Sequence, residues 1–390
     1  MTAAALAPLL SGVTIVDLSH VLAGPFATMT LSNLGARVIK VEMPGAGDDS
    51  RAFGPFRNGR SLYFSAVNCN KESIALNLKA PEDRAVLDAM LAKADMVVEN
   101  FRPGTMERLG LGWETLHARF PRLIYGAASG FGTSGPLSQC AAYDMVVQGM
   151  GGIMSMTGPE GGPPVRVGAS VGDLAAGLYL AIGLNAALYR RTVSGQGCKI
   201  DIAMLDCQVA LLEDAIGRCA ASGQAPVPHG TRHASIAPFQ TYRTADHPMV
   251  IAVGTDKLFG RMATALGRPE WATDPRFVTN ALRHQNVVVL EQEMEAVLMG
   301  GASAHWIQVL TQAGVPCGPV NDVAAMMKEP QVAARNMIVT VDDPVLGPVP
   351  VAGNPIKVVG LPEPKTFRPA PALDADRKAL LQEFAPGASR

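Results

Sequence analysis

The sequence predicts an α/β protein, with a Rossmann-like parallel sheet in a large domain and a smaller α+β domain within the chain. Three observations predict it. Strand-like and helix-like apolar segments alternate along the N-terminal half. Glycine is abundant, 40 of 390 residues, and aromatic residues make up only 5%, a composition suited to tight strand–helix turns. A Gly/Pro-containing stretch, residues 222–229, interrupts the pattern, and the segments beyond it change in character.

In order, residues 13–18 read as a buried strand and residues 24–34 as a helix with Pro25 in its first turn. Gly35 ends that helix, and residues 37–42 form a second strand. Strand, helix, strand is a βαβ unit and implies parallel pairing. Residues 43–49 are a loop, 73–78 a strand, 81–94 a helix with acids at its start, and 95–99 a strand. A helix at 113–119 leads into a strand at 123–126. The apolar run 174–188 belongs to a long helix, followed by a strand at 198–202 and a helix to about residue 221. Beyond the linker lie a strand pair within 239–253 and helices near 258–266, 286–298 and 304–313. Short strands at 337–341 and 349–358 and a helix at 374–385 close the chain. The domains are therefore expected at 1–221, 222–332 and 333–390, the last returning to the large domain. Ligands of open parallel sheets sit beyond the C-terminal strand ends, which selects the loops 19–24, 43–49, 100–105 and 127–136.

Charge narrows the function. The net charge is −1 with no basic block, so neither nucleic acid nor an anionic membrane is an expected partner. The first Lys or Arg is Arg37, so no secretory leader is expected. The run 174–188 is short and Gly/Ala-rich for a membrane span, and a buried core helix is expected instead. The six cysteines form no C-x-x-C pair and stand apart from histidine, which suits a reduced, cytoplasmic protein without a metal.

Two short motifs mislead. Residues 130–135 spell G-x-G-x-x-G, but Pro136 follows where a dinucleotide-binding helix should open. Residues 168–172 spell G-x-S-x-G around Ser170, but a polar, proline-containing segment stands where a nucleophile elbow needs a buried strand. Asp173 is the stronger candidate. It is the sole carboxylate between Glu160 and Asp201 and opens the apolar helix. An N-cap explains such an acid, and so does chemistry.

Several segments in fixed order decide between these readings. They are Gly12 to Phe26 (GVTIVDLSHVLAGPF), Gly35 to Glu42 (GARVIKVE), Asn68 to Ile74 (NCNKESI), Val97 to Gly104 (VVENFRPG), Gly172 to Gly177 (GDLAAG), Gly230 to Phe239 (GTRHASIAPF) and Gly314 to Val320 (GVPCGPV). Together they make the chain similar to class III coenzyme A transferases, the group of formyl-CoA and carnitine CoA-transferases. Ala23 to Met29, Pro44 to Asp49, Thr157 to Glu160 and Pro164 to Arg166 resemble the succinate–hydroxymethylglutarate and itaconate branch.

The resemblance implies an interlocked homodimer whose large domain is built from both chain ends. It implies transfer of CoA, from succinyl-CoA in that branch's manner, to a carboxylic, typically dicarboxylic, acid. No cofactor is bound permanently; CoA and its acyl thioesters are substrates. Asp173 matches the nucleophile, passing through a mixed anhydride and an aspartyl-CoA thioester, with free amides at the helix start keeping it ionised. Val21, Leu22 and Ala23 would line the thioester end. Leu76 and Lys79 would hold the adenine side, with Asn100, Phe101 and Arg102 along the nucleotide and Arg108 at the phosphates. Tyr143 and Asp144 would lie beside CoA. His20, Arg232 and His233 are candidates for a diacid's distal carboxylate. Met43 stands where many relatives carry a phosphate-binding Arg. Leu22 stands where formyl-CoA enzymes carry Gln, so oxalate is not the expected acceptor. The competing readings are an α-methylacyl-CoA racemase, opposed by Tyr143 at the racemase histidine position, and a non-catalytic CoA-binding protein.

Overall fold

The computed structural model describes residues 6–385. The framework divides into two units. Among the described residues, the first runs to Met154, takes in Arg166–Ser222, and resumes from Pro330; the second is Ser155–Val165 with Gly223–Glu329. Residues 155–165 therefore go with the second unit, although the sequence reading placed them with the large domain.

In the first unit, β1 (Thr14–Asp17), β2 (Arg37–Glu42), the two-residue partners β3 (Phe56–Arg57) and β4 (Arg60–Ser61), β5 (Glu72–Ala75), β6 (Met96–Glu99), β7 (Ile124–Ser129) and β8 (Lys199–Ala203) follow in order. Six of them form one sheet, in the order β5-β2-β1-β6-β7-β8. Every neighbouring pair is parallel. Alternate residues serve opposite faces, as the strand period requires. Ile15, Val38, Met96 and Val98 pack with Leu31 of α1 (Ala23–Asn33) and Leu180 and Leu184 of α7 (Val171–Ser194). Val16, Ile39, Val97 and Tyr125 pack with Leu87 of α3 (Pro81–Leu91), Leu116 of α5 (Trp113–Arg119) and Phe384 near the C-terminus. Each fully buried aliphatic side chain contributes roughly 1.5–3 kcal/mol relative to exposure. A β12 (Ile338–Asp343)/β13 (Gly347–Ala352) hairpin buries alternate valines against Cys69 and Phe367.

Several short helices escape the apolar pattern: α2 (Leu62–Asn68), α4 (Thr105–Arg108) and α6 (Asp144–Met150). The Ser61 side chain starts α2 by accepting from Phe64 N at 3.0 Å. The helix expected to run to residue 221 is two, α8 (Met204–Ala210) and α9 (Ala215–Ser222), separated where Glu213 adopts φ 52°.

Helix α7 is long and apolar enough by composition to cross a membrane. One side of it is buried core, through Leu180, Ala181, Leu184 and Ala187. Leu178, Ile182, Tyr189 and Val193 on its other side are exposed in the single chain.

The second unit is built on the antiparallel order β11 (Cys317–Pro319), β10 (Met249–Ala252), β9 (Phe239–Tyr242). Its core joins Met249 and Ile251 with Phe259, Met262, Trp271, Leu290 and Met294. Arg283, fully buried, donates to the carbonyls of Ala237 and Phe277 and to Asp256.

Candidate active site

The sheet order reverses between β1 and β6, and the chain leaves both strands at their C-terminal ends there. This is the topological switch point of a doubly wound sheet. The two departing loops are tied together. Asn100 Oδ1 accepts from His20 N at 2.8 Å, and Asn100 Nδ2 donates to His20 O at 2.7 Å. The His20 ring stacks on Phe101 with centroids 5.5 Å apart, and its Nδ1 lies 3.4 Å from Asp49. Ser19 N donates to Asp17 Oδ1 at 3.0 Å, and Val21 N to Asp48 Oδ1 at 3.0 Å. Buried Lys40 donates to Ser19 O at 2.7 Å and pairs with Asp48 Oδ2 at 2.8 Å. Buried Lys71 pairs with Asp17 at 3.0 Å. Burial drives the Lys71 ammonium down to about 8 despite that partner.

Asp173 enters this switch point from α7. Ser170 is the N-cap residue of that helix, without a side-chain bond, and Asp173 is the third residue in. The capping expectation for Asp173 is therefore corrected: Asp144, at the start of α6, does that work. Asp144 Oδ1 accepts from Gly172 N at 2.8 Å, and its Oδ2 accepts from Gln148 Nε2 at 2.8 Å. Gln148, fully buried, accepts in turn from Val167 N at 2.9 Å. Arg166 stands 3.7 Å from Asp144 Oδ2.

The glycines flanking Asp173 permit this close packing. A Cβ at Gly172 would lie 2.7 Å from the Val147 side chain, and one at Gly177 would lie 2.7 Å from Ala23 O. Asp173 itself, half-buried, accepts no hydrogen bond among the described residues. Burial, and secondly the negative charge of Asp144, push its carboxyl up to about 7. The expected stabilisation of its ionised form by the helix start does not dominate.

Two cavities meet at this switch point. One, of about 150 Å³, is lined by Asp173 with Val21, Leu22, Ala23, Asn100, Phe101, Arg102 and Tyr143. The other, of about 330 Å³, is lined by Leu76, Lys79, Met43, Asp49, His20 and Phe101. His20 and Phe101 border both. Arg108 lines neither; it is exposed on α4 and donates to Thr105 Oγ1 at 2.8 Å. Tyr143 is exposed, and Asp144 beside it is buried. Beneath Phe101, Glu99 accepts from Phe101 N at 2.8 Å and from the Tyr125 hydroxyl at 3.2 Å; burial pushes its carboxyl up to about 7.

Arg232 and His233 belong to the second unit. The Arg232 guanidinium is engaged by both Glu160 and Glu291. His233 Nδ1 accepts from the amides of Ser235 and Ile236 at 3.1 and 3.2 Å, so the ring staples its own turn. Sequence reasoning also passed over Tyr63. Burial, followed by the negative charges of Asp173, Asp48 and Asp144, raises its phenol above the ordinary value. No motif marks it, because those three carboxylates come from distant segments. Asp48 and Lys40 were missed for the same reason. All six cysteines are unpaired, and no cluster of three metal-ligating residues occurs among the described residues.

Known proteins resemble this chain over nearly its full length. The profile of CoA-transferase family III matches residues 10–377. An acetyl-CoA:oxalate CoA-transferase of Acetobacter aceti is 48% identical over 96% of this chain and 95% of that enzyme. A succinyl-CoA:glutarate CoA-transferase of Mus musculus is 38% identical over 96% of this chain and 86% of that enzyme. A CAIB/BAIF family protein of Brucella suis, known as a crystal structure, superposes with a TM-score of 0.85 at 37% identity, covering 97% of this chain and all of that one. With the profile and both enzymes aligned along nearly all of its length, the chain is an enzyme belonging to CoA-transferase family III.

Proposed function

We propose that this enzyme moves coenzyme A from an acyl-CoA to a carboxylic acid, with Asp173 as nucleophile. The observation that carries the reading is a carboxylate without a hydrogen-bond partner, on a cavity at the switch point of the sheet. A carboxylate tied into a network is a poor nucleophile; this one is free to attack.

In its ionised form, an Asp173 oxygen attacks the thioester carbonyl, the C–S bond breaks, and CoA thiolate leaves a mixed anhydride. The thiolate then attacks the Asp173 carbonyl carbon and expels the donor acid as its carboxylate. An acceptor carboxylate attacks the resulting aspartyl thioester, forming a second anhydride and freeing the thiolate again. Attack of that thiolate on the acceptor carbonyl yields the new acyl-CoA and restores Asp173. Covalent catalysis divides one difficult exchange into four acyl transfers and needs no net proton change.

The larger neighbouring cavity suits the nucleotide portion of CoA, with Leu76 and Phe101 as apolar walls and Lys79 as a cation at its rim. Val21, Leu22 and Ala23 would face the thioester, Asn100 and Arg102 would run with Phe101 along the nucleotide, and Tyr143, with buried Asp144 next to it in sequence, would lie beside CoA. Arg108 would have to reach the phosphates from outside both cavities. Succinyl-CoA is the donor favoured by the sequence resemblance. Relatives are named for glutarate and for oxalate, so both belong among the acceptors tested. The exposed apolar stripe of α7 supports an interlocked homodimer.

The reading is tested by incubating the protein with succinyl-CoA or acetyl-CoA and a panel of mono- and dicarboxylic acids, and following CoA exchange by mass spectrometry. Exchange is expected with at least one diacid and is expected to vanish in Asp173→Ala. Full exchange in that variant would exclude the mechanism.

A further inference from the structure

Val21 is branched at Cβ and yet sits at φ 65°. Left-handed backbone crowds a β-branched residue, and such a conformation persists only where its surroundings hold it. Of the described non-glycine residues with positive φ, the others are Asn58, Asn70, Glu213, Asn336 and Asp374, none of them β-branched.

The holding groups are plain. Val21 N donates to Asp48 Oδ1 at 3.0 Å. Asp48 Oδ2 pairs with Lys40 at 2.8 Å, and the same ammonium donates to Ser19 O at 2.7 Å. Asp48 is fixed in its turn, since its N donates to Glu42 Oε2 at 3.0 Å and its Oδ1 accepts from Ser50 N and Ser50 Oγ at 2.8 and 2.7 Å. Asp48 and Lys40 are both buried. A buried ion pair is thus committed to one strained turn, and that turn borders the cavity containing Asp173.

We propose that Asp48 is a positioning residue for acyl transfer: it holds Val21 in the left-handed conformation, and the held turn sets residues 21–23 against Asp173. The proposal rests on the reading of Asp173 as nucleophile.

Steady-state kinetics on the wild type, Asp48→Ala, Val21→Gly and the double variant test it. Asp48→Ala is expected to lower kcat about 10- to 100-fold, the cost of a small misplacement, with the acyl-CoA KM within about threefold. Glycine adopts positive φ without crowding. In the Val21→Gly background, Asp48→Ala is therefore expected to cost less than about threefold. A merely structural Asp48 would lower activity equally in both backgrounds. That result, or wild-type kcat in Asp48→Ala, overturns the proposal. Where Asp48→Ala does not fold because Lys40 is left unpaired, Lys40→Met/Asp48→Ala removes both charges and is compared in the same two backgrounds. Asp173→Ala is assayed alongside. Activity surviving there overturns the nucleophile reading, whereas an inactive Asp173→Ala with equal Asp48 effects in both backgrounds overturns only the positioning role.

Discussion

Asp144 accepts a hydrogen bond from Gly172 N at 2.8 Å, one residue before Asp173, so the carboxylate that caps helix α7 also faces the carboxylate proposed to react. The cap raises its neighbour's proton affinity while fixing its backbone. Asp144→Asn keeps an oxygen for Gly172 N and removes the charge. The acid limb of the kcat/KM profile, expected near pH 7 from Asp173, should then move to lower pH. Glu99 also titrates near 7 but makes no contact with Asp144 among the hydrogen bonds and ion pairs described, so a shift identifies Asp173. An unmoved profile would remove Asp144 from this role.

The raised carboxyl has a consequence for stability. Asp173 titrates at about 7 in the folded chain against an ordinary 3.8. Between those values the folded chain binds more protons than the unfolded one. Stability therefore falls as pH rises through this window and levels off above it. Asp173→Asn removes the penalty and should stabilise the protein at about pH 8 by roughly 1–4 kcal/mol, with the gain vanishing near pH 4. Urea titrations at both pH values measure it; an equal effect at both would contradict the raised carboxyl.

Gly177 lets α1 and α7 approach each other. A Cβ there would lie 2.7 Å from Ala23 O and 3.0 Å from the Phe26 ring. Gly177→Ala should destabilise by about 1–3 kcal/mol through overpacking and lower kcat, because Ala23 lines the Asp173 cavity. Wild-type stability and activity would show that the two helices separate freely.

Arg232 is the strongest cation among the groups expected at a distal carboxylate. Its exposed partner Glu160 is the contact a substrate would have to replace. Arg232→Ala should raise the KM of a dicarboxylic acceptor about tenfold or more, the worth of a charge-assisted pair. A diacid KM equal to that of the wild type would exclude Arg232 from substrate recognition.

The parallel core was legible because β1, β2, β6 and β7 are apolar runs separated by helices and turn residues, a pattern that local sequence carries. Helix α6, with its seven residues and internal Gly149, has too short a period to announce itself. Helices α8 and α9 read as one because the turn that parts them, residues 211–214 with Glu213 at positive φ, holds neither Gly nor Pro. At the site, Asp173 was legible as the lone acid opening an apolar helix. The cap of its helix was not, because Asp144 lies 28 positions from Gly172 in sequence. The Asp48 bond to Val21, spanning 27 positions, was hidden for the same reason. The turn at His233 was hidden too: its Nδ1 accepts from the amides of Ser235 and Ile236, a bond no motif announces, and its Nε2 takes no part in that turn.

In the proposed mechanism Asp173 becomes acylated and exchanges oxygen in every cycle. When an acceptor carboxylate attacks the aspartyl thioester and the thiolate then takes the acyl group, Asp173 retains one oxygen that came from the acceptor. Turnover with an ¹⁸O-labelled carboxylic acid, followed by digestion and mass spectrometry, reads this directly. Label is expected in the peptide carrying Asp173, appearing only when acyl-CoA and acceptor are both present. CoA exchange at the normal rate with that peptide unlabelled would contradict it.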